Sequence, residues 1–230
     1  MREQRDHRTI SIADQIFEQL QNDILTGKYE RGEILSETKL SEELGVSRTP
    51  IREALRRLQQ ERIVLDTSRG SSVLGISPED MLDMYDIRVQ LEGQAAARAA
   101  KNITEEELKE MKEILDLQKF YIDKDGDMAS KTDHIRDQDS RFHDLLFRAT
   151  HSMVFYDTLS NIHQKITKFR RVSVNRKSRA QESYNEHIAI YEALKLHEPE
   201  LARANTVKHV INARDNIMKR ISGGDESDAS

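Results

Sequence analysis

The chain has 230 residues, a net charge of −5, no cysteine, and a third of its residues charged. That excludes a disulfide scaffold and a thiolate metal site, no apolar run reaches the roughly 20 residues needed to span a bilayer, and the start MREQRDHRTI has no secretory apolar segment. Sparse glycine, three prolines and abundant charge suit a mostly helical soluble protein, and the lack of cysteine fits a reducing, cytoplasmic compartment.

From the N-terminus, residues 11–25 set Ile12, Ile16, Leu20 and Ile24 on one face of a predicted helix that Gly27 closes. A second short amphipathic helix is expected over 36–44. Gly45 can then take the positive φ of a sharp corner, with Val46 as its apolar plug. In the next helix, 47–60, Ser47 is placed to cap and Pro50 falls in the first turn, where its missing N–H has no partner to lose. Ile51, Ala54, Leu55 and Leu58 form one buried stripe at i, i+3, i+4 and i+7. Opposite it stand Arg48, Thr49, Arg52 and Arg56, with Arg57 at the flank. An arginine face that begins in the first turn after a tight corner is shaped to enter a DNA major groove.

Two β-prone runs follow, Ile63–Leu65 and Ser72–Leu74, around a polar turn at 66–71. They predict a wing, with Arg69 at its tip beside a phosphate or in the minor groove and Gly70 allowing close approach. Six arginines against Glu53, Glu61 and Asp66 leave +3 over residues 45–72. The acidic total is therefore no bar to DNA binding, because charges act only over about 8 Å at physiological salt.

Residues 75–77 read as a linker, and Ser77-Pro78-Glu79-Asp80 opens a run of helices expected at 78–100, 104–123, 127–149, 152–175, 179–197 and 199–220. The fold class is mostly α: a winged helix-turn-helix over 1–74 and an all-α antiparallel bundle over 78–221, with a disordered tail at 222–230. Asp139 and His143 share one helix face at i, i+4, while His187 and His209 lie on the fifth and sixth bundle helices. Together they could converge on one divalent ion, with Zn, Ni, Fe or Mn all compatible with imidazole and carboxylate. His7, His134, His151, His163 and His197 are read as ordinary surface or core histidines. Arg88 lies beside an apolar face of Met84, Ile87 and Leu91. It is either paired with Glu92 on a solvated face or an anchor for a ligand carboxylate.

The block GEILSETKLSEELGVSRTPIREALRRL with RGSSV resembles the DNA-binding domain of the GntR transcription regulators. IRVQLEGQAAARAA, DSRFHDLL, EHIAIYEAL and VKHV resemble the helical effector domain of its FadR/FCD subfamily, in the six-helix VanR-like form. The resemblance covers residues 11–220. It implies a ligand-responsive regulator, not an enzyme, that represses as a homodimer on palindromic double-stranded DNA and answers to a small carboxylate or hydroxy acid. It implies DNA contacts by Arg48, Thr49 and Arg52 and by the wing tip Arg69-Gly70, a metal held by Asp139, His143, His187 and His209, and an effector carboxylate on Arg88. Three departures stand out. Thr38 replaces a DNA-contacting arginine, Arg62 replaces the glycine after the recognition helix and should alter its exit, and ATHSMVFY lacks the usual Gly-Asn corner.

Overall fold

The computed structural model describes residues 11–25, 27–124, 128–170 and 177–221. The chain divides into two compact units between Ser77 and Pro78. The break expected between helices 104–123 and 127–149 at Asp125-Gly126, the stretch 171–175 and the tail 222–230 lie outside the described residues.

The first unit runs α1 (Ile12–Leu25), β1 (Ile34–Leu35), α2 (Glu37–Leu44), α3 (Arg48–Gln60), β2 (Val64–Thr67) and β3 (Gly70–Val73). Its core joins Phe17, Leu20 and Ile24 of α1 to Leu40, Ile51, Leu55 and Leu58, and to Val64 and Val73 of the sheet. Ile12, assigned to the buried face from spacing, is 56% exposed, and Phe17 packs inward instead. Gly45 caps α2 with φ 65°, as its place in the corner requires, and Val46 packs against the core. Ser36 caps α2 by accepting from the Lys39 N–H. Ser47 occupies the equivalent position before α3 but makes no side-chain cap hydrogen bond.

The wing is tighter than its sequence suggested. β2 and β3 pair antiparallel from Val64–Val73 to Thr67–Gly70, so the turn is only Ser68-Arg69. Thr67 Oγ1 donates to the Gly70 carbonyl at 2.6 Å and accepts from the Arg69 N–H, locking the turn. A third strand, β1, pairs with β3 and gives the sheet order β1-β3-β2. Two residues are too short a run to show a period, so the sequence did not reveal it.

The second unit contains α4 (Pro78–Asn102), α5 (Glu105–Asp123), α6 (Met128–Arg148), α7 (Met153–Arg170), α8 (Lys177–Lys195) and α9 (Pro199–Ile221). Thr104 and Glu107 close a capping box at the head of α5, each side chain bonded to the other's backbone. Gly93 lets α4 and α9 approach closely, since a Cβ there would stand 2.8 Å from Val207 Cγ2. The core gathers alanines of α4 with Leu108, Met111 and Leu115 of α5, Phe142 and Leu146 of α6, Leu159 of α7 and Ile190 of α8. Among the described residues, no helix is long and apolar enough to cross a membrane.

Candidate nucleic-acid interface and buried histidine centre

On α3 the buried stripe Ile51, Ala54, Leu55 and Leu58 fixes the helix against the core and turns Arg48, Thr49, Arg52 and Arg56 to solvent. Arg69 is exposed at the hairpin tip. Between α3 and the wing lies a shallow groove whose lining includes Glu37, Arg52, Arg56, Gln59 and Asp66. Arg52 is held within it: its Nε and Nη2 donate to the two carboxylate oxygens of Glu37, both at 2.8 Å. Arg57 belongs to the fold, bonded to Asp14 at 2.6 Å and lying 4.0 Å from the Phe17 ring centroid. Gly70 likewise faces inward. A Cβ there would meet the Leu35 carbonyl at 2.8 Å, and its φ is 129°. Its missing side chain makes room for β1, a use different from the close approach to DNA expected of it.

In the second unit, α6, α8 and α9 bring His143, His187 and His209 together in the interior, with ring nitrogens within 4.8 Å of one another. The Nε2 atoms of His143 and His209 are 3.2 Å apart. The outer nitrogens of two of the three rings are engaged elsewhere. His209 Nδ1 meets Glu186 at 2.7 Å, and His187 Nδ1 meets Gln118 Oε1 at 3.2 Å. Glu186 is braced by Arg179 and Asn212. Burial alone would raise its pKa, but the bonds from His209 and Arg179 hold it at about 2. Burial, reinforced by His209, pushes His187 down to about 3. Burial and the neighbouring His163 push His143 well below the ordinary imidazole range. These two rings are therefore neutral and keep a lone pair for a ligand.

The donor set fits a divalent ion. Imidazole nitrogens at about 2.0–2.1 Å from a shared ion stand roughly 3 Å from each other, as the His143–His209 pair does. His187 Nε2 has no hydrogen-bond partner among the described residues. The carboxylates and amides behind a metal's histidines fix which nitrogen faces it, and Glu186 and Gln118 stand in those positions. Asp139 is less closely drawn in: its Oδ1 lies 3.7 Å from His187 Nε2, outside the tight group, and accepts from Ser183 Oγ at 3.4 Å.

Arg88 and Glu92 do pair, but inside the bundle and not on a solvated face, each 1% exposed. The inward stripe of α4 is Met81, Tyr85, Arg88 and Glu92, whereas Ile87 of the assumed apolar face is 44% exposed. Arg88 Nη1 and Tyr85 OH have no hydrogen-bond partner among the described residues. Glu92 Oε2 stands 3.7 Å from His143 Nδ1. His163, read from sequence as ordinary, also belongs here, because Glu92, His143 and His163 form another close buried group. Its rings' centroid separation from His143 is 4.5 Å. The signal was present in the stripe Leu159, His163, Ile166 at i, i+4 and i+7, which places His163 on the buried face of α7.

Comparison with known proteins agrees with both units. Residues 12–73 match the family of bacterial regulatory proteins called gntR, and residues 83–212 match the FCD domain. The HTH-type transcriptional regulator YdhC of Bacillus subtilis is 28% identical over 93% of this chain and 94% of its own length. The gluconate operon transcriptional repressor of Bacillus licheniformis is 31% identical over 71% of this chain and 64% of its own length. Among solved structures, McbR/YncC of E. coli superposes with a TM-score of 0.68 at 21% identity, covering 92% of this chain and 99% of that one.

Proposed function

This chain belongs to the gntR family of regulators and carries an FCD domain, and on that premise we propose that it represses as a homodimer and is switched by a small anionic metabolite at a metal ion. It is a DNA-binding transcription regulator, as its named relatives are. Arg48, Thr49, Arg52 and Arg56 enter the major groove on α3, while Arg69 reaches a phosphate or the minor groove from the wing, with Gly70 shaping the wing behind it. Each protomer reads one half-site in cytoplasmic DNA, so the operator is a palindrome with half-sites about one helical turn apart.

The observation that supports the switch is the trio of buried imidazoles, with the outer nitrogens of His209 and His187 held by Glu186 and Gln118. His143, His187 and His209, with Asp139, hold one divalent ion, which Zn, Ni, Fe or Mn would suit. Such an ion would supply fixed positive charge that attracts an oxygen anion. Arg88 adds a guanidinium whose free Nη1 can meet the same anion. The effector is thereby a small carboxylate or hydroxy acid. A gluconate operon repressor among the relatives makes sugar acids the first compounds to try.

Metal content after dialysis, followed by melting of the metal-loaded protein with a panel of short hydroxy acids and sugar acids, tests this reading. Stoichiometric metal, and a midpoint raised by an acid in wild type but not in His187→Ala, is the expected result. Protein that retains no metal and ignores every acid would overturn the switch while leaving DNA binding untouched.

A further inference from the structure

The contact between Glu37 and Arg52 deepens the reading of α3 as the base-reading helix, and rests on it. Glu37 is the first residue of α2, and Arg52 lies just past the first turn of α3, so the pair spans the corner of the motif. Arg52 remains 69% exposed at its side chain and Glu37 33%. Guanidinium carries five N–H donors. The side-on fork uses the Nε–H and one Nη2–H. That leaves the outer edge, Nη1 with the second parallel Nη2–H, without another bond among the described residues. This is the edge with which arginine reads the O6 and N7 of guanine.

A long exposed side chain otherwise loses rotamer freedom when it docks, and the fork removes most of that freedom beforehand. The carboxylate has a second effect. Glu37 and Asp66 put two negative groups in a groove that DNA is to fill. They disfavour docking on phosphates wherever Arg52 finds no base to compensate.

We propose that Glu37 is a specificity-determining positioning residue: it holds Arg52 side-on, with its Nη edge presented to a guanine, and penalises non-cognate DNA. Glu37 acts only through Arg52 in cognate recognition, so the two substitutions should not add.

The test uses the full-length protein, the duplex it enriches from a random library, and a scrambled duplex of the same composition. Glu37→Ala is expected to lower the ratio of specific to scrambled affinity about tenfold or more, by weakening the first and strengthening the second. Glu37→Gln, which keeps one acceptor oxygen, should fall between, and guards against a folding defect in the alanine variant. Glu37→Ala/Arg52→Ala should discriminate no worse than Arg52→Ala. If Arg52→Ala relaxes the preference for one base but Glu37→Ala leaves it intact or sharpens it, the positioning role is overturned and Arg52 remains a reader. If Arg52→Ala leaves every base preference intact, or no duplex is enriched, the underlying reading fails and the proposal fails with it.

Discussion

Arg62 performs at the end of α3 a task usually given to glycine. Its φ is 58°, and the chain leaves the helix through bonds from Arg62 N to Gln59 O and from Ile63 N to Leu58 O. The exit is thus the ordinary left-handed one, not the altered one expected from the missing glycine. The arginine bears the strain, which for a residue with a Cβ costs about 1–2 kcal/mol. Arg62→Gly should therefore raise the unfolding free energy, measured by denaturant titration, by up to about 1 kcal/mol, once the greater freedom of glycine in the unfolded chain is set against the relieved strain. Gly70 is the reverse case. Gly70→Ala sets a Cβ against the Leu35 carbonyl at an unfavourable φ, and a loss of about 1–3 kcal/mol is expected in the same assay. Glu37 gives a pH prediction. Its bond to Arg52 holds the carboxyl below the usual 4.5. A lowered pKa leaves the pair intact above 4.5 and dissolves it only as pH falls through the lower value. Base preference in a selection experiment should thus be unchanged from pH 8 to pH 5.5.

Among the elements, α6, α8 and α9 each bring one imidazole to a shared point, so a bound ion would tie three helices together. Removing metal with a chelator should lower the melting midpoint of the wild-type chain, whereas His187→Ala should no longer respond. A midpoint indifferent to chelator in wild type would contradict the metal centre. The helices themselves were legible because caps and breakers mark their ends: Ser36, Gly45, Pro78, Thr104 and Pro199 each sit at a boundary. Asp139, His143, His187 and His209 were legible as residues that could converge on one ion, and the family resemblance implied the same four; the three histidines come together, with Asp139 outside the tight group. The Arg88–Glu92 pair was read correctly as one alternative but placed on a solvated face, because an alternating polar and apolar helix offers two candidate faces. Choosing Met84 and Ile87 turned the wrong one inward. His163 was missed because a polar residue within an apolar stripe is visible as buried only when the stripe is trusted over the side chain. β1 had no signal of its own, since its two residues are defined by the strand they pair with.

For the molecule as a whole, the acidic total of −5 conceals a basic α3 and wing, and that local excess governs attraction to phosphates. Family membership explains why both units were recognisable: each motif carries a physical requirement, the corner glycine and arginine face in one, the inward histidines in the other. The proposed effector would leave no such imprint in the sequence, because an anion would be recognised by side chains drawn from several helices and not by any one spacing. The proposed regulation requires that an anion at the histidine centre favour one DNA-binding state over another, for otherwise binding shifts nothing. The direct measurement is the affinity of the metal-loaded protein for its selected duplex, followed by fluorescence anisotropy as short hydroxy acids and sugar acids are titrated. At least one acid should change that affinity by roughly 5–150-fold in wild type and have no effect in His187→Ala. An acid that binds the metal-loaded protein while the DNA affinity stays constant would contradict the switch.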